Sequence, residues 1–135
     1  MGIRITRGAG LDIRLEKKAA ASTRQLRRIH RDGAYAMRDT AREMAPFKTG
    51  ELEGSIDVLE TREVGNRKTF TVRAEARHAI YMHEGIYDLG PGSLAKDRSS
   101  QHKVGRKFME RAAVWLQREW RFGERARAAV KKALK

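Results

Sequence analysis

The chain contains no cysteine and only two prolines among its 135 residues. Without cysteine there is no disulfide framework, no thiolate nucleophile and no cysteine-ligated metal, and a reducing cytoplasm fits. Aromatic residues are scarce at 7%, and hydrophobic residues, at 40%, fall somewhat below a typical globular composition. Charged residues reach 35%, so much of the chain is expected at surfaces or interfaces. No apolar run is long enough to span a bilayer, and the N-terminus lacks an apolar signal core. Met1-Gly2 followed by Thr6 loosely matches a myristoylation pattern, but Ile3 and Ile5 read better as an alternating edge strand. No membrane partner is therefore expected. Acidic residues are the last shortage, 17 against 30 Lys and Arg, for a formal charge of +13. That balance favours polyanions or acidic protein surfaces and says nothing about fold.

The length suits one domain with a real core. The stretch around which the pattern turns is Met44 to Ile56, where a helical period stops and a strand period begins. Pro46 has no N–H to donate and disfavours helical geometry at Ala45, so a helix must end near Met44. Thr49 is placed to cap one short turn through Gly50 to Glu53, and Gly54 to take a positive φ that turns the chain into a strand near Ser55. Leu52 and Ile56 are the apolar contacts of this corner.

Before the corner, Ile3 and Ile5 lie in an N-terminal arm or short strand, and Leu11, Ile13 and Leu15 suit either a strand or a ragged helix start. From about Lys17, Leu26, Ile29, Gly33, Ala36, Met37, Thr40, Ala41 and Met44 recur at steps of three and four and predict one long amphipathic helix. Asp32-Gly33 could break it, or Gly33 could serve close packing against a sheet. After the corner, Ile56 and Val58, then Phe70, Val72 and Ala74, alternate with polar residues on either side of a turn at Val64 to Arg67. They predict an antiparallel hairpin whose inner face needs the preceding helix to exclude water. Residues 86–105, rich in Gly, Ser and charge, read as a loop that orders against a partner. From Arg106 a helix returns with Phe108, Met109, Ala112, Ala113, Leu116 and Trp120 on one face, and Ala126, Val130 and Leu134 continue it as a basic tail with a thin apolar face. The predicted fold is α+β: a long N-terminal helix on a small antiparallel sheet, with a C-terminal helix. The divisions are an arm over 1–16, one domain over 17–120 and a basic helical tail over 121–135.

His78, His83 and Glu84 form the one cluster that resembles chemistry, but a spacing of five puts the two imidazoles on different faces of a helix or strand. No nucleophile elbow, phosphate-binding glycine loop or paired carboxylates are present, so no catalytic, cofactor-binding or metal residue is assigned and the chain is not expected to be an enzyme. A nucleic-acid reading rests on charge alone, since no helix-turn-helix, zinc finger or RNA-binding sheet motif is present.

The run Ala45-Pro46-Phe47-Lys48-Thr49-Gly50-Glu51-Leu52-Glu53-Gly54-Ser55-Ile56, the block Tyr81-Met82-His83-Glu84-Gly85 and the later Lys107-Phe108-Met109 together resemble the tail-completion, or head-tail joining, proteins of tailed phages, of the lambda minor tail protein Z type. The resemblance extends over about residues 17–120; the family's usual Thr after the second block and Pro before the late Phe are missing here. The family motif falls on Ala45, Pro46, Thr49, Gly50, Leu52, Ser55 and Ile56, with a second block at Tyr81, Glu84 and Gly85. The resemblance implies a structural virion protein, assembled in the host bacterial cytoplasm. It would form a homo-oligomeric ring, hexameric by analogy, between the head-side connector or stopper proteins and the tail tube or tail terminator, with genome DNA passing through the channel. Arg4, Arg7, Lys96, Arg98, Lys103, Arg125, Arg127, Lys131 and Lys132 are then candidates for neighbour or channel contacts. The rival reading is a basic protein that binds nucleic acid without sequence preference.

Overall fold

A computed structural model describes residues 2–7, 11–16, 24–63, 67–85 and 87–133. Strands β1 (Gly2–Arg7) and β2 (Leu11–Glu16) precede the long helix α1 (Arg24–Met44), the short helix α2 (Glu51–Ser55) and strands β3 (Ile56–Glu63) and β4 (Arg67–Ala74). Helices α3 (Ala79–Glu84), α4 (Pro91–Ser99), α5 (Phe108–Arg118) and α6 (Phe122–Ala133) follow. The architecture is α+β, with the long helix on an antiparallel sheet and helical packing from the C-terminal part, as the sequence predicts.

The sheet has four strands in the order β1-β2-β4-β3, all antiparallel. The alternation at β3 and β4 puts Ile56, Phe70, Val72 and Ala74 on the covered face, fully buried or nearly so, with Val58 partly buried beside them. Of the readings open for the N-terminal segment, arm or strand and then strand or ragged helix start, the described residues take the strand in both places, and Ile13 of β2 lies opposite Val72 of β4. The expected turn at Val64 to Arg67 falls largely outside the described residues, but the register Glu63↔Arg67 is that of a hairpin.

Helix α1 ends at Met44, and the N–H of Ala45 makes one last helical bond to the carbonyl of Ala41 at 2.9 Å. Its predicted stripe is buried at Leu26, Gly33, Met37, Thr40, Ala41 and Met44. The stripe is shared between two coverings, β3 and β4 on one side and α5 and α6 on the other. Gly33 accordingly packs not on the sheet but under the rings of Phe122 and Trp120, where an added Cβ would lie 3.1 Å from Phe122. The basic tail is therefore part of the core: Phe122 is fully buried and Ala126 and Ala129 follow it on α6. The side chains of Val130 and Leu134 lie outside the described residues.

Candidate functional site

Between α1 and α2 the chain makes the corner that the sequence pattern marks, and its geometry differs at one residue. The left-handed position is Gly50, with φ 83°, rather than Gly54, which sits inside α2 with open space around it. Gly50 is also the N-cap of α2, which has no side-chain cap, and Thr49 Oγ1 instead accepts the N–H of Glu51 at 3.3 Å as a local turn bond just before the helix. At the far end Ser55 Oγ donates to the carbonyl of Leu52 at 2.8 Å, and Ile56 enters the sheet fully buried.

The segment read as a loop over 86–105 contains α4, and α4 is docked on the corner by polar contacts. Ser93 Oγ accepts the N–H of Phe47 at 2.8 Å and donates to the carbonyl of the same residue at 3.2 Å. Gly92 lies so close that an added Cβ would stand 2.8 Å from the Phe47 carbonyl oxygen. Lys96 Nζ donates to the carbonyls of Arg42 and Ala45, at 2.5 and 2.7 Å, and pairs with Glu53 at 3.2 Å. A helix leaves its last carbonyls without partners, and here an ammonium from another helix satisfies two of them with a favourable charge for the α1 dipole. The sequence signal for α4 was present at Gly90-Pro91, since proline suits the first helical position. It carried no apolar period because its one large apolar residue, Leu94, is exposed.

Between the corner, α3 and the start of α4 lies an open cavity of about 460 Å³ whose walls include Phe47, Leu52, His78, Met82, Pro91 and Ser93. Phe47 is 38% exposed and Tyr81, on the neighbouring helix, is 61% exposed. Tyr81 stacks on Tyr87, with ring centroids 6.1 Å apart. The first motif block thus lines one concave, largely apolar surface together with Met82 of the second, with Lys48 and His78 exposed on its walls.

The histidine cluster does not assemble. His78 is exposed, whereas His83 is fully buried with its ring edge-on to Phe108 at 5.1 Å. Nε2 of His83 accepts the N–H of Glu110 at 3.2 Å, which caps the first turn of α5, and Nδ1 faces Glu84 Oε1 at 3.2 Å. Acceptance at Nε2 requires the neutral ring with its proton on Nδ1. Burial holds the His83 pKa below its ordinary value, against the opposing pull of Glu84. The second carboxylate oxygen of Glu84 meets Lys107, which stands in the left-handed region at φ 60°. Gly85 donates its N–H to the Tyr81 carbonyl at 2.6 Å, and an added Cβ would fall 2.5 Å from that oxygen. The second block is therefore a joint between α3 and α5. Among the described residues no group of three His, Asp or Glu is placed to hold a metal ion.

Among the described residues the basic candidates are not gathered into one patch. Lys96 is turned inward onto α1, with its side chain 15% exposed. Arg98 and Lys103 are exposed on and after α4, near the C-terminal end of α1. Arg125, Arg127 and Lys131 are exposed on α6, whose Phe122 meets α1 at Gly33, about 18 Å back along the helix axis from Ala45 at 1.5 Å per residue. Arg125 lies over the Trp120 ring at 4.1 Å and donates to its carbonyl at 2.8 Å. The side chains of Arg4, Arg7 and Lys132 lie outside the described residues. Sequence reasoning missed Arg111, half-buried, which donates to the carbonyls of Lys103, Gly105 and Arg106 and ties the α4–α5 connection; nothing in its spacing marked it.

Among protein families, residues 9–85 match the HK97-gp10-like model, described as "Bacteriophage HK97-gp10, putative tail-component". The match runs through β2, α1, the corner, β3, β4 and α3, more than half of the chain, and stops before α4. No curated protein and no solved structure matches. No helix among the described residues is long and apolar enough to cross a membrane.

Proposed function

The chain belongs to the HK97-gp10-like family of bacteriophage tail components, and from that premise we propose that it is a non-enzymatic structural protein of the virion neck. In this reading copies of the chain form a ring that joins the DNA-filled head connector to the tail tube, as in tail-completion proteins of the lambda minor tail protein Z type. Its partners are further copies, the connector or stopper on the head side, the tube or terminator on the tail side, and the genome DNA in the channel. The family match carries the proposal. The cavity at the corner supports it, because Phe47 stays exposed on the wall of a concave, largely apolar surface where a neighbouring protein can bury it.

Cryo-microscopy of the virion that encodes this chain is the test. The expected result is its density between portal and tail tube, and unjoined heads and tails when its gene is deleted. Particles that lack the chain, or that join normally without it, would overturn the reading. The formal charge of +13 sustains the second reading, non-specific binding to nucleic acid. That reading requires the isolated chain to hold short duplex DNA with an affinity that falls steeply as salt rises, without any virion partner.

A further inference from the structure

The sheet ends in two open edges. β1 is hydrogen-bonded only to β2 and β3 only to β4, so each has one unpaired side among the described residues. Unpaired edges are templates for pairing with another chain. We propose that these edges are the two halves of one head-to-tail contact, in which β1 of one copy of this chain pairs with β3 of the next. The proposal rests on the ring reading above and names the surface that closes the ring.

Strand direction is the first argument. Because neighbours are antiparallel throughout, β1 and β4 run one way and β2 and β3 the other. A second copy in the same orientation therefore brings its β1 alongside β3 in antiparallel sense, and every junction in the extended sheet has the same pattern. Antiparallel pairing is the slightly stronger arrangement. A contact between two different patches of identical copies generates either a closed ring or a filament.

Charge is the second argument. β1, GIRITR, carries Arg4 and Arg7 and no acid, while β3, IDVLETRE, carries Asp57, Glu60 and Glu63 against Arg62. Like edges placed together would set basic on basic or acidic on acidic, which cross-strand pairing disfavours. The head-to-tail junction sets them opposite. Arg38 and Arg31 of α1 already reach Asp57 and Glu60, at 3.3 and 3.4 Å, as ordinary surface pairs.

The open groups can be located. The carbonyl of Ile56 accepts from Arg42 Nε and the N–H of Val58 donates to Asp57 Oδ1, both at 2.8 Å, so these groups face away from β4. Residues alternate in this respect along an antiparallel strand, which puts the N–H and C=O of Glu60 and Arg62 on the open side. The start of the edge is blunted by Arg42 at the Ile56 carbonyl and by Asp57 at the Val58 N–H; the part beyond Val58 is left to pair.

The test uses two variants of the full chain. Glu60→Pro removes an N–H from the open side only, where an edge strand tolerates proline, and Arg4→Glu with Arg7→Glu reverses the charge of the other edge. Light scattering across a concentration series should show that the wild type assembles, and that each variant alone stays at the 15.4 kDa monomer mass with unchanged circular dichroism. Mixing the two should give a heterodimer of twice that mass and nothing larger, because one variant keeps a competent β3 and the other a competent β1. If Glu60→Pro does not fold, Glu60→Lys takes its place by reversing the charge on the open edge, with loss of amide-exchange protection at positions 60 and 62 as the readout. Assembly that survives either variant, homodimers of the charge-reversed variant, or a wild type that is monomeric at every concentration would overturn the edge contact. The location of the chain in the virion would still be decided by cryo-microscopy.

Discussion

Gly50 and Gly54 look interchangeable in sequence and stand in opposite situations. Gly50 occupies φ 83° with the Phe47 ring 3.2 Å from where a Cβ would be, whereas nothing lies within 4 Å of a Cβ on Gly54. A left-handed non-glycine residue costs about 1–2 kcal/mol, so Gly50→Ala should lower stability by that amount in urea unfolding. Gly54→Ala, inside α2, should be neutral or stabilising by up to about 1 kcal/mol. The reverse ranking would mean that the corner turns at Gly54. His83 gives a pH prediction. Its folded pKa is held below the ordinary value of 6.5 by burial, with Glu84, Lys107 and Glu110 as the charges around it. The unfolded state therefore binds the proton more readily, so the contribution is complete above about pH 6.5 and is lost as pH falls toward the folded pKa. Unfolding followed between pH 7 and 5 should show a weaker loss of stability in His83→Gln than in the wild type. Equal slopes would remove the neutral cap from the account.

At the scale of elements, α4 and α6 separate two kinds of legibility. α1 and α5 announce themselves because apolar residues at helical spacing meet a core, and a two-residue alternation gave the inner face of β3 and β4. α4 is held by Ser93, Lys96 and the close approach at Gly92, which are polar and steric contacts to residues about fifty positions away and leave no period to read. Lys96→Met keeps the stem but strands the carbonyls of Arg42 and Ala45, at about 1–3 kcal/mol for unsatisfied buried groups. Amide exchange over 91–99 should rise selectively in this variant; uniform protection would show that α4 is held by something else. Phe122→Ala should cost about 3–5 kcal/mol as a buried aromatic truncation. A tail that served only as a basic arm would lose nothing measurable in thermal unfolding.

For the molecule as a whole, the sheet, α1, α5 and α6 share one cluster of buried residues, with Trp115 and Trp120 packed against it. Tryptophan fluorescence and far-ultraviolet circular dichroism should therefore report a single coincident unfolding transition; two separated midpoints would divide the C-terminal helices from the sheet. The sequence by itself determined the helix–corner–hairpin order, the residues that face the core and the basic charge, because periodicity and backbone chemistry at Pro46 are local properties. It also carried the motif that places the chain among phage tail components. Only the tertiary structure decided that β1 and β2 join the sheet, that Gly33 receives Phe122, that Lys96 caps α1 and that two oppositely charged strands stand at the open edges. Each of these depends on which distant segments come together, and the reason is physical: strand pairing, close backbone approach and the capping of another helix are satisfied across space, and leave no spacing in the chain from which they could be read.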